Sequence, residues 1–383
     1  MTVRTTRSIV CLTALLAMSL LLTSSPLMAK QKAGEVQSYQ LASPSPYDGG
    51  AAESPMVLSE EIYVPDATFI KIHFSEFDLA PGDRVVIRGD EGQQHVYTGR
   101  GPRDNGEFWA FSVRGSRAMI DLYSYGQGGH GFVIDQIGRG IGIISDTAVC
   151  GSDGRRDVAC YGEGAKNITE PVAHLLFCDG FFCFFCTGFL VNGDRDNLMM
   201  TNEHCINNQQ LTDTLEASFN FQNAQCNGGA NDPTSVYNGD DFVTTDAGLD
   251  YTLLTLMGSP EANHGEFDAT DDNISVGDLM AMPQHSGGGE KTVAVYEDSG
   301  QSIRCDVEGI NANLSGWDPG TQLYYSCDME GGASGSPVLG ISQRAAIGIN
   351  HVEYIGCPGG SLVNYGTQMS DICADAGSLL NCI

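Results

Sequence analysis

Three segments of the chain hold side chains that could together break an acyl bond. The first, Gly331-Gly332-Ala333-Ser334-Gly335-Ser336-Pro337, sets a serine between glycines. A serine hydroxyl is a poor nucleophile until a base takes its proton and donors wait for the oxyanion. The glycines let the backbone fold tightly enough for the N–H groups of Gly332 and Ser334 to point at one spot. The strand-like Val338-Leu339-Gly340-Ile341 follows. In isolation such a turn is equally an ordinary loop. The candidate base is His204, in Leu198-Met199-Met200-Thr201-Asn202-Glu203-His204-Cys205, where an apolar strand runs into the histidine. A bridge from Cys205 to Cys186, just before Thr187-Gly188-Phe189-Leu190-Val191-Asn192, would close the loop behind it. The candidate acid is Asp250, at the mouth of the apolar run Tyr251-Thr252-Leu253-Leu254-Thr255-Leu256. A carboxylate there can be half buried and hold the imidazole tautomer. Asp241 and Asp246 compete, but each sits among polar loop residues. Chain order is therefore base, acid, nucleophile. In GxSxG hydrolases the serine comes first, and here the fifth position is Ser336 rather than glycine.

Short strands must carry these residues. From 145 to 383 the sequence shows brief apolar runs broken by Gly, Asn and Asp, and two antiparallel β-barrels fit that length. Long amphipathic helical patterns are scarce, apart from a last turn near Leu379. Upstream, Phe69-Ile70-Lys71-Ile72-His73-Phe74, Arg84-Val85-Val86-Ile87, Phe108-Trp109-Ala110-Phe111-Ser112-Val113 and Met119-Ile120-Asp121-Leu122-Tyr123 are separated by turn signals such as Pro81-Gly82-Asp83. That is a β-sandwich pattern. It contains no cysteine, whereas everything after Val149 is cysteine-dense, so a boundary is expected near residue 145. Residues 30–56, rich in Ser, Pro, Gly and Gln, read as a linker between this β-domain (57–144) and the start of the chain.

Residues 1–29 read as a signal peptide: Arg4 and Arg7, an apolar run from Ile9 to Leu22, then small residues ending at Ala29. No second candidate span follows; an uncleaved anchor is the alternative. The expected location is outside the cell membrane, extracellular or periplasmic. Of thirteen cysteines, Cys11 lies in this segment and twelve follow, an even number suited to disulfides outside the cytosol. The CxxC pair Cys183 and Cys186 sits in an apolar run and reads as disulfide partners rather than as a redox or metal site. With 48 acidic against 19 basic residues, a net charge of −29, nucleic acid is excluded as a partner. The composition suits a self-repelling soluble protein, expected as a monomer.

The segments CTGFLVN (186–192), MTNEHC (200–205), LDYTLLTL (249–256) and GGASGSPV (331–338) resemble the trypsin-like serine peptidases, over most of residues 150 to 366. Bacterial lysyl endopeptidases are similar also through Cys150, Asp153-Gly154-Arg155-Arg156-Asp157 and Cys160. The resemblance implies an all-β, chymotrypsin-like double β-barrel after a small β-sandwich-like N-terminal domain. It implies a secreted endopeptidase acting on proteins or peptides, with His204 as base, Asp250 as acid and Ser334 as nucleophile. Gly332 and Ser334 would form the oxyanion hole, with no metal and no cofactor. It implies bridges Cys150–Cys357, Cys160–Cys226 and Cys186–Cys205, leaving Cys178–Cys183, Cys305–Cys327 and Cys373–Cys382 to pair locally. A binding protein on the same fold is the alternative class, although such proteins usually lose a triad member.

Two departures matter. Where trypsin has an aspartate before the nucleophile, which a freshly cut N-terminus completes, this chain has Ala333, a small residue as in lysyl endopeptidases. The aspartate that reads lysine in that family precedes a Tyr-Gly pair, but here Asn364 precedes Tyr365-Gly366. Asp328, six residues before Ser334, is the candidate reader of Lys or Arg. His351 is the rival, favouring an acidic side chain as in glutamyl endopeptidases. The N-terminal β-domain resembles a prosegment, removable at Arg139-Gly140; the alternative is an attached module. Asn167-Ile168-Thr169, Asn273-Ile274-Ser275 and Asn313-Leu314-Ser315 are glycosylation patterns in a eukaryotic host.

Overall fold

The β-branched and aromatic runs of the first third form strands, as their alternation predicts. In the computed structural model, which describes residues 30–50, 55–126, 128–142, 149, 152–231, 234–354 and 363–383, the protein is largely β-sheet. The expected signal segment, Cys150 and Cys357 lie outside the described residues.

One sheet of the N-terminal region runs in the order Met56–Tyr63, Arg117–Tyr123, Arg84–Gly89 and Gln94–Tyr97. It packs on a second sheet containing Phe69–Asp78 and Gly131–Gly140. Ile62, Ile87, Ile120 and Leu122 from the first meet Ile70, Ile72, Phe74 and Ile134 from the second in a single core. The packing is sandwich-like, but the unit is not separate. The segment read as a linker contains the strand Gln31–Ala42, which pairs antiparallel with Gly131–Gly140 on one edge and Phe182–Leu190 on the other. One eleven-stranded sheet therefore crosses the expected domain boundary. The polar side chains of Gln31–Ala42 hid a strand whose outer residues stay exposed.

A buried ion pair fastens the same junction. Lys71 Nζ lies 3.0 Å from Glu216 Oε2, and Ser112 donates to that carboxylate from its N–H at 2.7 Å and its hydroxyl at 2.8 Å. Burial alone would push the Glu216 carboxyl up, but the Lys71 charge and the Ser112 bonds together hold it below the usual carboxylate range.

Beyond the junction, Val172–Cys178, Glu216–Phe219, Ser235–Asp246, Tyr251–Leu256, Leu198–Thr201 and Phe182–Leu190 pair each with the next. Val172–Cys178 also pairs back to Phe182–Leu190. The later strands form a closed six-stranded β-barrel in the order Met280–Gln284, Pro337–Gly340, Ala345–Tyr354, Val363–Gln368, Gln322–Tyr325 and Gly309–Ala312. The backbone around Cys305 closes it, with the Met280 N–H donating to Cys305 O at 3.0 Å and the Val307 N–H to Asp278 O at 3.0 Å. Between the two strand groups lies a shared core of Phe189, Tyr251, Leu339 and Ile349. The C-terminal helix Met369–Ala376 buries Met369 and Ile372 against that core. The sequence reading expected only a helical turn near Leu379. Disulfides join Cys160–Cys226, Cys178–Cys183, Cys186–Cys205, Cys305–Cys327 and Cys373–Cys382.

Candidate active site

Asp250 sits immediately before the strand Tyr251–Leu256 with φ of +51°, a left-handed conformation that aspartate tolerates better than most residues. The Asn202 side chain holds it there by donating to its carbonyl oxygen at 2.7 Å. The Asp250 carboxylate then takes two bonds from one residue: the His204 N–H at 3.0 Å on Oδ1 and the His204 ring, through Nδ1, at 2.8 Å on Oδ2. A ring nitrogen bonded to carboxylate carries the proton, which leaves Nε2 as the basic nitrogen. His204 Nε2 is buried and makes no hydrogen bond among the described residues. Burial alone would raise the Asp250 carboxyl; the charge and hydrogen bonds of His204, aided by His351, outweigh it and keep the group below its ordinary range. The Cys186–Cys205 bridge ties the histidine loop to the strand Phe182–Leu190.

The same strand reaches the serine. Thr187 donates its N–H to Ser334 O at 2.8 Å and its hydroxyl to Gly332 O at 2.8 Å. Ser334 is 3% exposed. Gly332 has φ of +96°, and a Cβ there would lie 2.9 Å from His285 O, so this position requires glycine. Gly335, with φ of +87°, is pressed against Thr187 O and Thr201 Oγ1. Thr201 ends the strand that leads to His204, so the serine turn and the histidine loop meet across one strand end.

Sequence reasoning missed the residue that clamps this turn. Asn350 accepts the Gly335 N–H on its carbonyl at 2.9 Å, and its own N–H donates to Ser336 O at 2.9 Å. Its side chain donates to Ala333 O at 3.0 Å and accepts from the buried Tyr325 hydroxyl at 2.5 Å. Ala333 is fully buried beneath it. The turn is thus set by an internal amide where trypsin uses an aspartate and a new N-terminus.

His351 follows on the same strand, where the register shifts between Asn350 and Val352. The irregularity re-aims both side chains inward. His351 Nε2 bonds Gln322 Oε1 at 2.5 Å, Nδ1 lies 3.7 Å from Asp250 Oδ2, and the ring stands 4.9 Å from that of Trp317. It is 1% exposed, and burial drives its pKa down to about 4. The rival candidate for receiving an acidic substrate side chain thus lies against Asp250. Asp328 is also buried, at 1% exposure, and accepts the Gly154 N–H at 2.7 Å; burial raises its carboxyl to about 6. Close by, Arg155 bridges Asp153 at 2.8 Å and Glu330 at 2.9 Å. Asn364, where the lysine-reading acid was sought, donates to Cys327 O at 2.6 Å. His204 lies against the sulfurs of Cys186 and Cys205, but these are bonded to each other and are not metal ligands.

The chain is a member of the trypsin-like, chymotrypsin-fold serine-protease superfamily through its family match. Residues 150–351 match the family described as lysyl endopeptidase, C-terminal domain, and the chain belongs to that family. It is 27% identical over 322 residues, 78% of each chain, to Secreted RxLR effector protein 73 of Plasmopara viticola. Among solved structures it is similar to a Glu endopeptidase in complex with MPD, at 18% identity and a TM-score of 0.42, over 59% of this chain and 96% of that one. It is also similar to the thermostable serine protease AL20 from an extremophilic microorganism, at 15% identity and a TM-score of 0.40, over 56% of this chain and all of that one. Among the described residues no helix is long and apolar enough to cross a membrane.

Proposed function

We propose that the protein is an exported serine endopeptidase in which His204, Asp250 and Ser334 are base, acid and nucleophile on a double-barrel frame. The observation that carries this reading is the double grip of Asp250 on His204, which leaves Nε2 buried and without a hydrogen bond among the described residues. His204 Nε2 takes the Ser334 hydroxyl proton as Oγ attacks the scissile carbonyl carbon. The N–H groups of Gly332 and Ser334 receive the oxyanion. The imidazolium, stabilised by Asp250, gives its proton to the leaving amine as the C–N bond breaks. Water, deprotonated by the same nitrogen, then releases the acyl group and regenerates the hydroxyl.

For the side chain before the cut, the reading favours a basic residue. Asp153 and Glu330 hold the Arg155 guanidinium and Asp328 accepts the neighbouring Gly154 N–H, an acidic cluster with a single cation, whereas His351 is committed behind Asp250. The test is hydrolysis of casein and of a mixed peptide library by wild type and Ser334→Ala. The reading expects cuts after Lys or Arg by wild type only, from two proteins with the same circular dichroism. Equal hydrolysis by both would reject the nucleophile, and cuts after Glu would reject the basic preference.

A further inference from the structure

The strand Gln31–Ala42 does more than join the two regions. Its first residues stand between the two loops that carry the proposed chemistry. Gln31 pairs with Phe185, the neighbour of Cys186, in antiparallel register. A Cβ placed on Gly331 would come 2.6 Å from Gln31 Oε1, so the Gln31 side chain lies against the turn three residues before Ser334. On the other side, Lys30 Nζ stands 4.3 Å from the Phe184 ring centroid. Burial lowers the Lys30 pKa, while the charges of Asp179 and of Glu203, the residue before His204, pull it back up. Gly331 is also fixed from below, its carbonyl accepting the Gly287 N–H at 2.6 Å. One short piece of chain therefore touches the nucleophile turn and pairs with the strand that is disulfide-bonded to the histidine loop.

This placement has a side. The base that protonates the leaving amine is His204, so residues after the scissile bond leave along the histidine loop. The Phe184 ring beneath Lys30 lies two residues before Cys186, which is bonded to Cys205 beside His204. We propose that Lys30 and Gln31 form a wall of the substrate cleft on the leaving-group side, contacting the peptide just after the scissile bond. The N-terminal region then contributes directly to the working site. Its attachment fits this: Ala33 and Phe69 share a small core with Leu176, Cys178, Cys183 and Phe185, and Lys71 neutralises the buried Glu216. Cutting the chain near residue 145 would leave these contacts intact.

The inference rests on the peptidase reading, and the experiment separates the two. Full-length wild type, Gln31→Ala and Lys30→Ala would be assayed on two substrates with the same residues before the cut. One continues for three residues beyond it; the other ends in a p-nitroanilide and has none. Cleavage of neither by wild type would be a failure of the peptidase reading. The wall predicts that Gln31→Ala lowers kcat/KM about tenfold on the extended peptide and less than about twofold on the anilide, through KM more than kcat. Equal losses on both substrates, or no loss on either, would overturn it. A rise on both would mean that the strand plugs the site, and would overturn it too. A melting temperature matching wild type excludes misfolding as the cause.

Discussion

Replacing Lys71 with methionine should damage the whole molecule, not the N-terminal region alone. The Lys71 side chain is fully buried and that of Glu216 is 7% exposed, with the charges 3.0 Å apart. Losing one partner of a buried pair costs ~3–5 kcal/mol, because a carboxylate stays buried without its counter-charge. Ser112 still gives Glu216 two bonds, so the lower end, about 3 kcal/mol, is expected. The pH dependence has a definite sign. In wild type the folded carboxyl lies below its unfolded value, so the pair's contribution is complete above the ordinary Glu range and is lost as pH falls through the folded value. In Lys71→Met burial dominates, the folded value rises, and the variant loses stability as pH rises instead. The gap between the two proteins is therefore widest near neutrality and closes in acid. Urea unfolding followed by tryptophan fluorescence reads this directly, since Trp109 pairs with the strand Phe69–Asp78 in the N-terminal part of the eleven-stranded sheet and Trp317 stands against His351 in the candidate site. Single-tryptophan variants should report one shared transition, shifted equally by Lys71→Met. A loss below about 1 kcal/mol, or a shift of the Trp109 transition alone, would refute the fused-sheet account.

Other perturbations have equally specific outcomes. Asn350→Ala removes the amide between Ala333 O and the Tyr325 hydroxyl; stability should fall by ~2–4 kcal/mol and turnover by more than about tenfold, read by denaturation and initial rates. Asp250→Asn should keep the fold and reduce kcat by about 10⁴, the loss measured for the equivalent change in a well-studied serine protease. His351, neutral when buried, gives a signal in acid. Its folded pKa near 4 lies below the ordinary 6.5, so the unfolded chain binds the proton first and stability declines as pH drops from about 6.5 towards 4. His351→Gln should flatten part of that slope in thermal melts at stepped pH.

The chemistry was more legible in the sequence than the assembly. As candidates, Ser334, His204 and Asp250 can be picked out locally, through glycines, an adjacent cysteine and an apolar run, because such sites depend on short-range backbone geometry. Asn350 and Tyr325 do not, since their roles arise from long-range pairing of strands to a turn in another part of the chain. His351 lies on the strand Ala345–Tyr354, and alternation could not foresee the irregular register that turns it behind Asp250. Gln31–Ala42 looked like a linker because its composition is polar; what makes it a strand is the pairing of Gln31 with Phe185, 154 positions away. Asp328, the candidate reader of Lys or Arg, is buried, and its Gly154 partner lies outside any local pattern.

The central claim is that Ser334 is a nucleophile activated by His204. A serine-directed fluorophosphonate, followed by mass spectrometry of the digested full-length protein, tests it most directly. The account predicts a stoichiometric adduct on Ser334 that is abolished in Ser334→Ala and slowed by at least about a thousandfold in His204→Ala. An adduct elsewhere, or labelling of Ser334 at the same rate without His204, would contradict it.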